Sequence, residues 1–391
     1  MFKRALKLDL PQKQSIFLWG ARQTGKSSYL KEHFKRSVYY DLLNTHDMLR
    51  LTKAPFLLKE EILALTPKER SRPIIIDEIQ KVPALLNEIH ALIENEAIQF
   101  ILCGSSARKL KTQAVNLLGG RAWPFHFYPL TFTEIPELDL LRALQQGLLP
   151  SHYLADKQYI DHYLQAYVDV YLTDEIRNEG LVRNLAGFAR FLDIAGLTNT
   201  HMINLNNIAR DCGIDRLTVQ NYYQILIDTL LGYFIHPYQK KKKRDLILSK
   251  PKFYLFDVGV ANYLAKQPVV TLQGEIAGKS FEHYIFMELI AWLNMKQKRL
   301  DITYWRTKTG LEVNFILGDA VAAIEVKISK QVHQQDLKGL MAFCEEHPKT
   351  KAIVVSRDPR PRDLVINPDT TIHILPWHIF LTRLWDGSLI S

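Results

Sequence analysis

Eight consecutive residues, Gly20-Ala21-Arg22-Gln23-Thr24-Gly25-Lys26-Ser27, have the types and spacing to hold a chain of phosphates. The glycines let the backbone wrap closely, so that successive N–H groups point at phosphate oxygens. Lys26 brings a positive charge to the β- and γ-phosphates, and the Ser27 hydroxyl is a Mg²⁺ ligand. Ser28 continues into a helix whose positive end faces the anion. A glycine-rich turn that merely joins a strand to a helix is the alternative. The flanks favour the phosphate loop: Ser15–Trp19 is an apolar run of strand length, and Leu30 and Phe34 lie four apart as on one helix face. The expected ligand is a nucleoside triphosphate held by Gly20 through Ser28. ATP is preferred over GTP, because no N-K-x-D guanine-reading motif occurs in the sequence.

A second group follows downstream, where Pro73-Ile74-Ile75-Ile76 runs into Asp77-Glu78. A continuous apolar run reads as a strand buried on both faces, and ligands gather beyond the carboxyl ends of such strands. This is the Walker B pattern: Asp77 is expected beside the Mg²⁺ held by Ser27, and Glu78 where it can orient and polarise the attacking water. Gln99–Gly104 reads as the next buried strand and ends in Ser105-Ser106. Ser105 can touch the γ-phosphate or its water, and either serine can cap the helix that follows. Arg121 and Arg108 are candidates to offset charge developing in the transition state of phosphoryl transfer. A surface salt bridge is the alternative for each.

The elements that must position these groups are legible around them. Val38–Asp41 reads as a strand, Leu49–Leu65 as a helical connection broken at Pro55, and Pro83–Glu94 as a helix with Leu85, Leu86, Ile89, Leu92 and Ile93 on one face. Gly20–Ser27, Ile74–Glu78, Gly104–Ser106 and the run from Gly120-Arg121 through Tyr128-Pro129-Leu130 to Glu134 together resemble a family of bacterial and archaeal AAA-type ATPases. In that family a P-loop core precedes a winged helix-turn-helix segment and a C-terminal domain with a restriction-endonuclease-like fold. The resemblance implies an α/β chain. Its core would be a five-stranded parallel sheet, with the strand ending at Ser105 between the phosphate-loop and Walker B strands. A helical and winged-helix segment and an α/β nuclease-like domain would follow. It also places Arg121 in a family motif. The expected domains are 1–150, 151–256 and 257–391.

In the middle of the chain, Tyr159, Tyr163, Ala166, Tyr167, Val170 and Tyr171 recur at helical spacing, which reads as core. Leu205–Cys212, the turn Gly213-Ile214-Asp215 and Leu217–Leu231 have helix-turn-helix spacing, with Asp215 poised as an N-cap. Tyr233–Tyr238 and Lys252–Phe256 read as the strands of a wing. Arg216, Thr218, Gln220 and Asn221 are the residues able to reach a groove. Seven basic residues, Lys240, Lys241, Lys242, Lys243, Arg244, Lys250 and Lys252, stand against one acid, Asp245, in a chain whose net charge is +9. Such a cluster suits a polyanion, DNA before RNA. A solvated loop, and a winged helix used only for packing, remain the alternatives.

Towards the C-terminus, Phe281–Met295 reads as a helix carrying Glu282. Leu311–Leu317 reads as a strand with Leu311, Val313 and Phe315 on one face and Glu312, Asn314 and Ile316 on the other. In Ala323–Ile328, Glu325 and Lys327 project together. Acids on a helix and a strand followed by E-x-K match the PD-(D/E)xK nuclease pattern, in which the acids bind Mg²⁺ and the lysine helps activate water. Asn314 stands where the family has Asp, which removes a charge from the site and disfavours cleavage.

Composition agrees with a globular chain, 47% apolar and 23% charged. No run reaches the ~18 to 20 apolar residues that cross a bilayer, the first residues carry no leader pattern, and Cys103, Cys212 and Cys344 fit neither a metal spacing nor a disulfide framework. The expectation is a cytoplasmic, Mg²⁺-dependent ATPase coupled to nucleic acid, with a homo-oligomer and no membrane among its partner states. An ATP-gated binding switch with little turnover and an ATPase-controlled nuclease are the rival readings.

Overall fold

Short apolar runs bounded by polar turns become the strands of a parallel sheet in the first part of the chain. Ser15–Trp19 (β1), Tyr39–Asp41 (β2), Ile74–Asp77 (β3), Phe100–Gly104 (β4) and Ala122–His126 (β5) pair in the order β2-β3-β4-β1-β5. Every pairing is parallel, and β1, β3 and β4 are buried along their whole length. The carboxyl ends of β1, β3 and β4 therefore stand side by side, with β4 in the middle. This is the expected AAA-like order. The computed structural model describes residues 2–8, 10–11, 13–106, 118–172, 182, 184–239, 250–368 and 370–390. It divides into one unit of Met1–Leu130 with Leu226–Leu231 and another of Thr131–Ile225 with Gly232–Ser391. The first division thus falls at Leu130 rather than at residue 150.

Helices close the first sheet. Thr45–Lys53 is capped by Asn44, whose side chain accepts from His46 N at 3.0 Å, and it stops before Pro55. Thr66 and Glu69 form a capping box around Pro67. The helix Leu85–Glu96 buries Leu85, Leu86, Ile89 and Leu92 in one core with Ile74, Ile76, Phe100 and Leu102. Burial of each such side chain is worth roughly 1.5–3 kcal/mol.

Both helices of the expected turn motif form, the first as Leu205–Cys212 and the second as Arg216–Asp228 where Leu217–Leu231 was expected. Leu205–Cys212 ends at Gly213, whose φ of 65° is the left-handed conformation that glycine tolerates best. Asp215 then accepts from Thr218 N at 2.9 Å at the start of Arg216–Asp228. Rings of Phe191, Tyr222, Tyr223 and Phe253 meet at centroid distances of 4.8–5.3 Å, joining the helix Leu185–Leu197 to the turn motif and the hairpin. Gly232–Pro237 (β6) and Lys252–Leu255 (β7) pair antiparallel, as a wing requires. They do not stand alone, because β6 also pairs in parallel with Ile302–Arg306 (β8). An eight-stranded mixed sheet results, continued by Glu312–Leu317 (β9), Ala322–Val326 (β10), Lys351–Ser356 (β11), Arg362–Asn367 (β12) and Thr370–Pro376 (β13). Its order is β12-β13-β11-β10-β9-β8-β6-β7. The boundary expected at residue 256 runs through that sheet.

The expected alternation on β9 is interrupted. Thr303 pairs with Ile316 but Trp305 with Val313, so β9 bulges at Asn314-Phe315. Val313 and Ile316 consequently share a core with Phe343, while Phe315 stacks on Phe286 of the helix Gly274–Met295. Of the tyrosine stripe, Tyr167 is buried and Tyr159 and Tyr163 are exposed; the side chains of Val170 and Tyr171 lie outside the described residues. Among the described residues no helix is long and apolar enough to cross a membrane.

Glu288, buried on the helix Gly274–Met295, accepts from Trp385 Nε1 at 2.8 Å and from Phe132 N at 2.7 Å. Burial pushes its carboxyl up to about 8, against those two hydrogen bonds. The folded chain therefore keeps a proton that the unfolded chain releases near pH ~4.3. The stability linked to neutral Glu288 is complete below that pH and is lost as pH rises through about 8. Glu288→Gln should melt at a lower temperature, because the two donors point at different oxygens and the amide NH₂ would face one of them. Between pH 5 and 8 it should also lose less stability than the starting protein, and paired melting curves across that range check the slope.

Candidate functional site

The phosphate loop leaves the carboxyl end of β1 and enters the helix Lys26–His33 at once. Gln23 and Gly25 have φ of 62° and 96°, which curls the main chain into the concave form that presents N–H groups to an anion. Gly20 is set by close packing: a Cβ there would lie 2.3 Å from the Phe127 carbonyl oxygen, beyond the end of β5. The Lys26 ammonium is buried within the loop and donates to the carbonyls of Gly20 at 2.6 Å and Ala21 at 2.9 Å. Thr24 Oγ1 donates back to Ala21 at 2.8 Å. Arg22, Gln23 and Ser27 are partly exposed and Ser28 is exposed.

β3 brings Asp77 and Glu78 to the same end of the sheet. Ser27 Oγ donates to Asp77 Oδ2 at 2.6 Å, so the two expected metal ligands are in contact. The Tyr39 hydroxyl donates to the same oxygen, and burial, then Asp77, push its pKa up, so it remains a donor. Glu78 adopts φ 59°, a left-handed conformation that costs a non-glycine residue on the order of 1 kcal/mol. Its Oε2 accepts from Ser105 Oγ at 3.0 Å and from Gln80 Nε2, which also donates to Ser105 Oγ at 3.0 Å. Gln80 Oε1 is buried with no hydrogen-bond partner among the described residues. Lys26, Ser27, Asp77, Glu78 and Ser105 thus come together at the carboxyl ends of β1, β3 and β4.

Arg121 does not join them. β5 runs parallel to β1 with Ala122 opposite Ser15, which puts Arg121 at the amino end of the sheet. Five residues along the strand direction separate it from Trp19, roughly 16 Å. Its carbonyl accepts from Gln14 Nε2 at 2.8 Å, and its guanidinium is ion-paired with Glu94 on the surface. The surface salt bridge describes it, and it does not reach the phosphate loop of its own core. Arg108 lies outside the described residues. Arg4, which no pattern singled out, donates to Thr24 O at 2.5 Å and Tyr128 O at 2.7 Å, with its guanidinium 4.1 Å from the Phe127 ring centroid. It ties the loop to the segment after β5. Tyr39, Gln80 and Arg4 escaped sequence reasoning because their partners are distant in the chain or belong to no fixed spacing.

In the second unit Glu282, Glu312, Asn314, Glu325 and Lys327 gather where the helix Gly274–Met295 meets β9 and β10. Glu325 Oε1 pairs with Lys327 Nζ at 2.8 Å, and Asn314 N donates to Glu325 Oε2 at 3.3 Å. Asn314 Oδ1 accepts from Val326 N at 2.8 Å just beyond Phe315–Ile324, where the β9–β10 ladder ends. Lys252, counted in the basic cluster, is buried here between Glu282 and Glu312 and cannot reach a nucleic-acid backbone. Lys240, Lys241, Lys242, Lys243 and Arg244 lie outside the described residues. On the helix-turn-helix Arg216, Gln220 and Asn221 are exposed, while the Thr218 hydroxyl donates to Asp215. Among the described residues no three His, Cys, Asp or Glu side chains are grouped to hold a metal ion.

Comparison with known proteins agrees with the first unit's geometry. Residues 12–136 match a family model described as an AAA domain, 137–270 match a domain of unknown function (DUF8612), and 277–379 a second one (DUF4143). The chain therefore carries an AAA ATPase domain followed by two domains whose function is not defined. No curated protein matches it. Similar solved structures include a Walker-type ATPase of Pyrococcus abyssi, at 15% identity over 64% of this chain and 90% of that one, with a TM-score of 0.43. The Orc1 protein of Aeropyrum pernix in complex with DNA shares 13% identity over 66% and 87%, with a TM-score of 0.26. A signal transduction ATPase with numerous domains from Pyrococcus horikoshii, bearing a tetratricopeptide repeat sensor, shares 11% over 75% and 47%, at 0.21.

The contact between position 20 and Phe127 makes a direct prediction. Gly20→Ala forces the loop away from β5, so it should lower stability by about 1–3 kcal/mol, the usual cost of overpacking. It should also weaken binding of a fluorescent ATP analogue at least tenfold. A variant that folds and binds the analogue normally would show that this close approach does not shape the loop.

Proposed function

We propose that the first unit binds ATP with Mg²⁺ and hydrolyses it. The observation that carries this reading is the convergence of Lys26, the Ser27–Asp77 pair and the Glu78–Ser105 pair at one end of the sheet. Lys26, held by two loop carbonyls, exchanges them for phosphate oxygens with little movement. Ser27 and Asp77 would hold Mg²⁺, whose role is to neutralise charge on the β- and γ-phosphates. Glu78 orients the attacking water once it leaves Gln80 and Ser105, and its buried setting strengthens its electrostatic effect on that water. Lys26→Ala should abolish ATP binding. Glu78→Gln should keep binding and lower kcat by roughly 10²- to 10⁴-fold. Unchanged turnover by Glu78→Gln would remove Glu78 from the water-positioning role.

Nucleic-acid coupling is supported by a separate observation: the second helix of the turn motif leaves Arg216, Gln220 and Asn221 exposed together. In this reading the helix enters a groove of duplex DNA and the basic run Lys240–Arg244 contacts phosphates. Replacing Arg216 and the run by alanine should weaken DNA binding across sequences. The salt dependence should flatten by about 0.9 in slope for each phosphate that is no longer neutralised. Unchanged affinity and slope would make the motif a packing module.

A further inference from the structure

In the C-terminal acidic cluster, Glu282 on the helix and Glu312 on β9 converge on a cation of the chain itself. Lys252 enters from β7 with a side chain only 5% exposed. Its Nζ is 2.5 Å from Glu312 Oε1 and 3.2 Å from Glu282 Oε1, so two carboxylates from separate elements converge on one nitrogen as ligands converge on a metal. Further contacts fix this arrangement. Tyr254, two residues along β7, donates to the same Glu282 oxygen at 2.6 Å, and Arg306 donates to the other Glu312 oxygen at 2.6 Å. The Tyr304 ring centroid lies 5.5 Å from the ammonium, and its hydroxyl donates to the Lys250 carbonyl, anchoring the chain just before Lys252.

Electrostatics agrees with the geometry. Burial disfavours the charge on Lys252, but Glu282 and Glu312 together outweigh it and hold its pKa above the ordinary lysine value. Burial likewise disfavours the charge on Glu312, but Lys252 and Arg306 outweigh it and hold that carboxyl below the usual range. Glu325 is paired with Lys327. Each of the three carboxylates thus carries a cation of the chain, and Asn314 adds no charge. Sites for Mg²⁺ lean on unpaired carboxylates.

We propose that Lys252 is the resident cation of this cluster: its ammonium occupies the position a divalent ion would need, and it keeps Glu282 and Glu312 assembled without metal. The cluster is then a latent divalent-cation site closed by a lysine, and removing the lysine opens it. Asn314→Asp alone does not open it, because the ammonium still stands between the two glutamates.

The test uses the full chain without nucleotide and Mn²⁺ alone as the probe, read by melting curves and calorimetric titration. The starting protein should show no Mn²⁺ binding that Glu282→Gln removes. Lys252→Ala should melt at a lower temperature, recover on addition of Mn²⁺, and bind Mn²⁺ at least tenfold more tightly than the starting protein. Adding Glu282→Gln to it should abolish that gain. Glu282-dependent Mn²⁺ binding by the starting protein would overturn the proposal, as would a folded Lys252→Ala variant that gains none. If Lys252→Ala does not fold, the combination Lys252→Met, Glu282→Gln and Glu312→Gln decides. Neutral groups of similar volume should restore folding if the ammonium serves to balance charge. Failure of that variant to fold would mean that Lys252 acts through packing, and the proposal falls.

Discussion

A charge taken out of water must meet an opposite charge or a set of hydrogen bonds within contact distance, or the fold loses several kcal/mol. Both polar centres of this chain are built on that constraint. In the first unit Lys26, Asp77 and Glu78 are buried. Each is satisfied locally: Lys26 by loop carbonyls, Asp77 by two hydroxyls, Glu78 by Ser105 and Gln80. In the second unit Lys252 and Glu325 are buried and meet charges of opposite sign.

The two solutions differ in what they leave available. The partners in the first unit are weak or neutral: carbonyls, hydroxyls and an amide. Each of them makes hydrogen bonds to a charged group worth about 1.5–3 kcal/mol, which a partner bringing full charges of its own can offset. The left-handed Glu78 backbone and the Gln80 Oε1 that lacks a partner among the described residues fall in the same region. In the second unit the partners are full charges fixed by aromatic rings and strand pairing. Breaking a buried ion pair by removing one member costs roughly 3–5 kcal/mol. The partners of one centre are neutral groups and those of the other are charges.

Much of the first unit is legible in the amino-acid sequence, because its signals are local. The G-x-x-x-x-G-K-S spacing, the apolar run into Asp77-Glu78, the capping box at Thr66 and Glu69 and the turn at Gly213 each depend on residues within a few positions of one another. Secondary structure, caps and loop curvature follow from such neighbours. The place of β4 between β1 and β3 was expected from resemblance and could not have come from spacing.

Pairing of distant segments decided the rest. Arg121 carries a family motif, but the parallel register of β5 on β1 sets it at the amino end of the sheet. Lys252 belongs to a basic stretch by sequence, but β7 turns it inward onto Glu282, on a helix, and Glu312, on another strand. The alternation on β9 pointed to a regular strand until its pairing with β8 introduced a bulge, and the Asn314 side chain accepts from Val326 N just beyond the end of the β9–β10 ladder. The sequence by itself determined which residues carry charge and which short segments curl or extend. Only the tertiary structure decided which charges meet, because long-range register is set by the packing of whole elements.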